Sequence, residues 1–514
     1  MNARSGLTIG SARSISRRLG GPIDLLALYA KLSDGGRRAD TMMLETTGGR
    51  SVILDQAAVR IECRGGEVVL TALSPDGEAV LDVVEHAQSA HLARRAPDGL
   101  TLRFERSTAV DAEARLRAPS PFDVLRSITE LRNETSEEPM TICLIGVLAF
   151  DHVDLFEELP ANAEDLIGFP DFVFWLAQSA VIAEPGMTPR LLCTSFSCGD
   201  AEQERRAHFS AIERLTDLAY RASDVHPLKV TAGAPVTVTV DQSDEEFAGA
   251  VSRLKEHVLA GDVYQIVASR TFSAPCPDPL SAFSRVRAID RSPYMFFVSM
   301  ADSVLFGASP ETSVRVTGEV GRRVLEVKPI AGTRPRGADN DQDNRMEADL
   351  RLDEKEAAEH MMLVDLARND VARVCETGTR NVVQLMTLEK YARVMHLVSS
   401  VKGLLAPGYD ALHALQTCLN VGTLSGAPKL KATELLRRYE RTRRGAYGGA
   451  IGWLNGEGLL DTGVVIRSAL VKDGTAYVRA GAGVVYDSDP TAEADETRRK
   501  ASAILTAIAG EQLR

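Results

Sequence analysis

Hydrophobic and polar positions alternate in segments along residues 41–73, as in Val68-Val69-Leu70-Thr71 after the Gly65-Gly66 turn. A period of two predicts a β-rich opening. Helical spacing follows around 77–90 and 120–135. Residues 224–236 (DVHPLKVTAGAPV) mix proline, glycine and small side chains and read as a linker. The chain therefore divides into an N-terminal region, 20–225, and a C-terminal region, 240–510. Helical patterns cover 244–260 and run from near Asp353 past Ala367. A meander follows: 449–454, an Asn455-Gly456 turn, 459–472, an Asp473-Gly474 turn, and 475–486. A last helix covers 491–508. Without a regular βαβ alternation, the expected class is α+β, with large antiparallel β-sheets flanked by helices.

Composition adds limits. Of 514 residues, 44% are hydrophobic and 25% charged, as in ordinary globular chains. The net charge of −12 excludes general binding to nucleic acid or an anionic membrane, which both need a basic surface. A small anionic substrate stays open, because one arginine in a pocket can outweigh the global charge. The seven scattered cysteines make no disulfide framework, so a reducing, cytoplasmic setting is expected. Only Cys193 and Cys198 are close, and no second pair completes a zinc site. The longest apolar run, near 143–150, is far below the roughly 18 residues of a membrane span. Residues 1–23 hold Arg4, Arg13, Arg17 and Arg18 and no acid before Asp24, which fits a transit peptide or, more plainly, a frayed terminus.

The candidate chemistry lies in two glutamate pairs. Glu356 and Glu359 share one helix face, and their stripe continues through Leu363, Ala367, Val371 and Val374. Glu493 and Glu496 repeat the spacing ahead of Lys500, Ile504 and Ile508. Four carboxylates on two apolar faces are costly unless a cation lies between them, and Mg²⁺ suits such oxygen donors. The plainer alternative is two solvated clusters at helix starts, favoured by the helix dipole. Arg467 lies in an apolar run (GVVIRSALV), and Gly481-Ala482-Gly483 lies in the next strand; both fit either an approaching ligand or a strand bulge. His396 sits among apolar residues, as a core histidine or a functional one. Asp339, Asp341 and Asp343 fail as a calcium loop, since Asn344 and Leu350 stand where glycine and glutamate are needed, and read as a solvated acidic loop. GTLSGAPK (422–429) lacks the spacing of a phosphate loop.

Several strings resemble the large subunit, component I, of anthranilate synthase, within the chorismate-utilising enzymes. They are SPYMFF (292–297), FGASPE (306–311), PIAGTRPRG (329–337), EHMMLVDLARND (359–370), GTLSGAPK, YGGAIG (447–452), VVIRSAL (464–470) and AGAGVVYDSDPTAEADETRRKA (480–501). The resemblance is dense over 240–508 and weaker back to MMLETT (42–47). It implies conversion of chorismate and ammonia to anthranilate and pyruvate with Mg²⁺. Glu359 and Glu496 would ligate the metal, with Glu356 and Glu493 as their helical neighbours. Gly332, Thr333 and the backbone of Gly481, Ala482 and Gly483 would cradle the ring carboxylate, near Lys500. Tyr447 and Arg467 would hold the enolpyruvyl carboxylate, and Thr423 would join the substrate site. Glu311 would be the general acid, and His396 would assist loss of pyruvate. Gln265 stands where water-adding relatives carry a lysine base, which favours an amine nucleophile. Ala331 replaces the nucleophilic lysine of some aminodeoxychorismate synthases.

The resemblance also implies partners. No glutaminase-type cysteine elbow is present, so ammonia would come from a separate glutaminase subunit, component II, in a hetero-oligomer. The 20–225 region would carry partner contacts and tryptophan-site elements, and 240–510 the catalytic domain. A tryptophan effector site would involve Glu45, Thr46, Pro293, Tyr294 and Met295. Here LLES reads Met43-Leu44-Glu45-Thr46, NPSPYM reads Asp290-Arg291-Ser292-Pro293-Tyr294-Met295, and Gly463 replaces a cysteine. Weak or altered inhibition by tryptophan is expected. The same departures keep open a 2-amino-2-deoxyisochorismate synthase that does not release pyruvate.

Overall fold

A computed structural model describes residues 10–162, 164–197, 201–391, 394–440 and 442–510. Two long strands organise it. Ser51–Arg64 and Phe172–Ala183 pair antiparallel along their length, with register shifts between Leu54 and Val59. Such irregularities bend a strand. The first half of Ser51–Arg64 pairs with Thr41–Thr46, and the second half with Glu67–Ala72. Two largely antiparallel sheets therefore share these strands. The first sheet continues from Thr41–Thr46 through Tyr294–Ser299, Ser303–Ser309, Ser468–Lys472 and Thr475–Val484 to Gln265–Pro275. The second continues from Phe172–Ala183 through Cys143–Leu148, Ala450–Asn455, Leu460–Val464, Thr312–Glu319 and Arg322–Val327 to Val394–Leu404. Met42, Ile145, Trp175, Phe296 and Ile451, drawn from both sheets, form one buried cluster. The expected α+β architecture is the one observed, and strands from the two sequence regions pair with each other.

The sequence reading of 459–472 as one strand needs correction. Leu460–Val464 belongs to the second sheet and Ser468–Lys472 to the first, with residues 465–467 between them. Arg467 takes φ +46, a left-handed conformation that is uncommon without glycine. Its neighbours Ser303–Ser309 and Thr312–Glu319 break at the matching place. The Val464 N–H donates to the Glu311 carbonyl at 2.9 Å, and the Ala308 N–H to the Arg467 carbonyl at 3.1 Å. Two neighbouring strands thus change sheet together, as corners between crossed sheets require. Glu311 and Arg467 stand at that corner.

Helices cover the sheet faces. Glu354–Ala372 is capped by Asp353, whose carboxylate accepts the N–H groups of Lys355 and Glu356. Leu363, Ala367, Val371 and Val374 are buried as the stripe predicts. Pro490–Ala509 starts at Asp489 and ends at the left-handed Gly510, and lies on Thr475–Val484. Buried Arg270 fastens it to Asp244–Leu259, donating to Thr497 Oγ1 at 2.9 Å and Asp244 Oδ1 at 2.7 Å.

Three smaller expectations change. Residues 224–236 contain no helix or strand, as a linker should, but Val225, Leu228 and Val236 pack on the core and the Thr231 N–H donates to Ser281 Oγ at 3.0 Å. The acidic residues at 339–343 are not a solvated loop: Asp339 caps the helix Asn340–Leu352, and Asp343 is buried against Arg336 at 2.8 Å. Ser11–Arg18, which includes Arg13, Arg17 and Arg18, is not frayed, since it pairs along its length with Arg190–Ser197. Arg4 and Cys198 lie outside the described residues. The six described cysteines are buried and unpaired. Among the described residues, no helix is long and apolar enough to cross a membrane.

Candidate active site

The two glutamate helices bring their pairs into one field. Burial pushes the Glu359 carboxyl up to about 7, and Glu356, Glu493 and Glu496 add to the rise while Lys355 opposes it. Glu493 is buried and raised for the same first reason, with Glu496 beside it and Ser488 bonding to it. Of the four, Glu493 is buried, while Glu356, Glu359 and Glu496 lie part-exposed where their stripes leave the core. Lys355 lies 3.9 Å from Glu359, and Lys500 pairs with Glu496 at 2.7 Å. Among the described residues, no three His, Cys, Asp or Glu side chains are drawn together into a ready metal-binding group. The donor chemistry nevertheless fits a hard divalent ion: four carboxylates share a partly buried field in which burial and mutual repulsion raise Glu359.

Lys500 links this end to the next feature. Its ammonium donates to the Gly481 carbonyl at 2.9 Å and also acts on Glu311. Glu311 is buried, and burial pushes its carboxyl up to about 7, partly offset by a 2.8 Å hydrogen bond from the Thr423 hydroxyl. Such a group is poised for proton transfer near neutral pH. Glu311 and Thr423 line a small cleft with Lys328, Leu363 and Leu366.

Gly481 and Gly483 lie in an unbroken ladder opposite Ser269 and Val267. A Cβ on Gly481 would stand 2.9 Å from the Tyr447 hydroxyl, and one on Gly483 would stand 2.8 Å from Gln265 Nε2. The missing side chains therefore admit two other site residues, with no strand bulge. Ala482, between them, points to the opposite face by strand alternation and offers the site only its backbone. Gln265 is buried, and its Oε1 has no partner. Burial pushes the Tyr447 phenol up to about 12. Tyr447 rests on a cluster that the sequence reading missed: Glu440 accepts from Arg444 at 2.6 Å and from Arg479 at 2.9 Å. Only Arg444, three residues before Tyr447, signalled it.

His396 stands at the far end. Its Nδ1 lies 3.1 Å from the Gly332 carbonyl and 3.0 Å from Thr333 Oγ1, while its buried Nε2 has no partner among the described residues. The carbonyl can only accept, so Nδ1 carries the proton and Nε2 presents a lone pair. Burial lowers the imidazole's proton affinity, and nearby Arg467 lowers it further. Gly332, at φ +70, leaves room for Leu350, whose Cδ1 would lie 2.8 Å from a Cβ there, and Glu356 Oε2 is a further near neighbour. Arg467 is half-buried and stands 3.8 Å from Asp290, a neighbour the sequence reading did not assign.

The proposed effector residues adjoin each other elsewhere. Tyr294 pairs with Thr46 and Met295 with Glu45 across two strands, and the Thr47 N–H donates to the Pro293 carbonyl at 2.8 Å. Glu45 is paired with Arg287 at 2.8 Å, and the Thr46 hydroxyl is buried without a partner. The Tyr294 ring fills the place of a Gly463 side chain, 2.6 Å from where a Cβ would be.

Residues 85–506 match the model of the chorismate binding enzyme family. The chain is 44% identical to anthranilate synthase component 1 of Vibrio cholerae over 94% of each chain. It is 45% identical to the pyocyanine-specific anthranilate synthase component 1 of Pseudomonas aeruginosa, over 90% of this chain and 88% of that one. The crystal structure of anthranilate synthase component I from Streptococcus pneumoniae superposes with a TM-score of 0.72 at 29% identity, covering 90% of this chain and 93% of that one.

Proposed function

Since this chain belongs to the chorismate binding enzymes, alongside the component 1 proteins of anthranilate synthase, we propose that it aminates chorismate and eliminates pyruvate to give anthranilate. The observation that carries this reading is Glu311, a buried carboxyl that accepts from the Thr423 hydroxyl at 2.8 Å and that burial pushes up to about 7. Tyr447 and Arg467 hold the enolpyruvyl carboxylate. Gly332, Thr333 and the 481–483 backbone receive the ring carboxylate, with Lys500 beside them. Protonated Glu311 gives its proton to the C4 hydroxyl, which leaves as water while ammonia adds at C2. A positioned acid of this kind contributes roughly 10²–10⁴-fold. Neutral Gln265 tolerates the amine nucleophile and activates no water. His396 then takes the C2 proton at Nε2 as pyruvate departs and the ring becomes aromatic.

Glu359 and Glu496 would ligate Mg²⁺, with Glu356 and Glu493 behind them. Bound there, the ion supplies positive charge that neutralises the ring carboxylate. Ammonia comes from a separate glutaminase subunit, and the enzyme works in the cytoplasm. Tryptophan, held by Glu45, Thr46, Pro293, Tyr294 and Met295, inhibits weakly, because Glu45 is engaged by Arg287 and Tyr294 packs on Gly463. Sub-micromolar inhibition would contradict that expectation.

The test is to incubate the purified chain with chorismate, Mg²⁺ and ammonium. Anthranilate fluorescence and pyruvate should rise together. Loss of chorismate without pyruvate would instead assign the chain to 2-amino-2-deoxyisochorismate synthesis, and no loss of chorismate would sink both readings.

A further inference from the structure

We propose that Asp290 sets substrate affinity by competing, as an internal carboxylate, for the arginine that receives the substrate's enolpyruvyl carboxylate. The proposal rests on the reading of Arg467 as that receiver.

The geometry is specific. Arg467 Nη1 and Asp290 Oδ2 are 3.8 Å apart, and both side chains are about 30% exposed. This is the guanidinium's one ion pair among the described residues, and it is too long for a hydrogen bond. Among the described residues the guanidinium of Arg467, near His396, thus has charge compensation but no hydrogen-bonded partner. A carboxylate arriving there gains close, charge-assisted hydrogen bonds. It must also approach a fixed negative charge, and like charges in one site oppose binding.

Asp290 is held in place. Its N–H closes the helix Pro279–Ile289 on the Val286 carbonyl at 2.8 Å, and Ser292 Oγ lies 3.2 Å from its Oδ2. The helix end fixes its backbone, and the Ser292 hydroxyl orients its carboxylate.

Steady-state kinetics and calorimetric binding of chorismate, on the Mg²⁺-loaded chain, test this in four forms: wild type, Asp290→Asn, Arg467→Gln and the double variant. Asp290→Asn should lower KM and Kd by about two- to fivefold, the scale of one partly exposed charge pair, with kcat moving far less. Arg467→Gln should raise both constants at least about tenfold. In the double variant the gain from Asp290→Asn should vanish. A merely structural role for Asp290 would not tighten binding. Unchanged or weakened binding in Asp290→Asn, with Arg467→Gln still impaired, overturns the competition and leaves the role of Arg467 standing. A gain that persists in the double variant also overturns it. Unimpaired binding in Arg467→Gln overturns the reading of Arg467 itself.

Discussion

Glu311 is the residue on which the proposed chemistry turns, and its burial makes two predictions. As an acid it works only while protonated, so kcat at a fixed concentration of free ammonia should fall as pH rises through about 7. Glu311→Gln should cost roughly 10²–10⁴-fold in kcat and remove that limb from whatever activity remains. The second prediction concerns stability. A carboxyl whose folded pKa is raised favours folding below its ordinary range, near 4.5, and loses that advantage as pH rises through about 7. Glu311→Gln, which cannot ionise, should therefore melt higher than wild type at pH 8, by up to about 3 kcal/mol, and show no such gain at pH 4.5. Equal melting differences at both pH values would contradict the buried, proton-holding carboxyl.

At the scale of elements, the glutamate helices were the most legible feature. Glu356 and Glu359 could be placed at the edge of a buried face because Leu363, Ala367 and Val371 continue their stripe, and all three are buried. Helical period alone carries that information. The break at 465–467 was not legible, because VVIRSALV reads as one apolar strand and local pattern does not report which sheet each half joins. Asp343 misled for a related reason: an acidic triplet looks solvated until Arg336 arrives from the preceding segment. The helix pair also makes a prediction that needs no turnover. Its carboxylates destabilise one another, so Glu359→Gln should melt higher than wild type without metal. Mg²⁺ should stabilise wild type, by about 2.7 kcal/mol at a hundredfold excess over Kd, and leave Glu359→Gln unmoved. Differential scanning calorimetry with and without Mg²⁺ checks both; an equal Mg²⁺ response in the variant would place the ion elsewhere.

Across the whole molecule, two shared strands hold two sheets whose corner carries Glu311 and Arg467, and two helices bring four carboxylates into one electrostatic field. On the proposed reading, Arg467 at one end and the four glutamates at the other, once they hold a cation, would suit a small dianion even though the chain carries −12 overall. Ammonium should support turnover by the chain alone, whereas glutamine should do so only after a glutaminase subunit is added; glutamine-driven anthranilate formation without one would overturn the two-subunit reading. The roles of Glu311 and His396 were reached through strings of residues resembling a family, because neither periodicity nor spacing marks a buried acid at a strand corner. The most direct test is therefore the initial rate of anthranilate formation from chorismate and ammonium, measured side by side for wild type and Glu311→Gln, with Mg²⁺ and after chelation. The account predicts rapid formation by wild type with Mg²⁺, almost none after chelation, and at least about a hundredfold loss in Glu311→Gln. A variant within fivefold of wild type, or a wild-type rate indifferent to chelation, would contradict it.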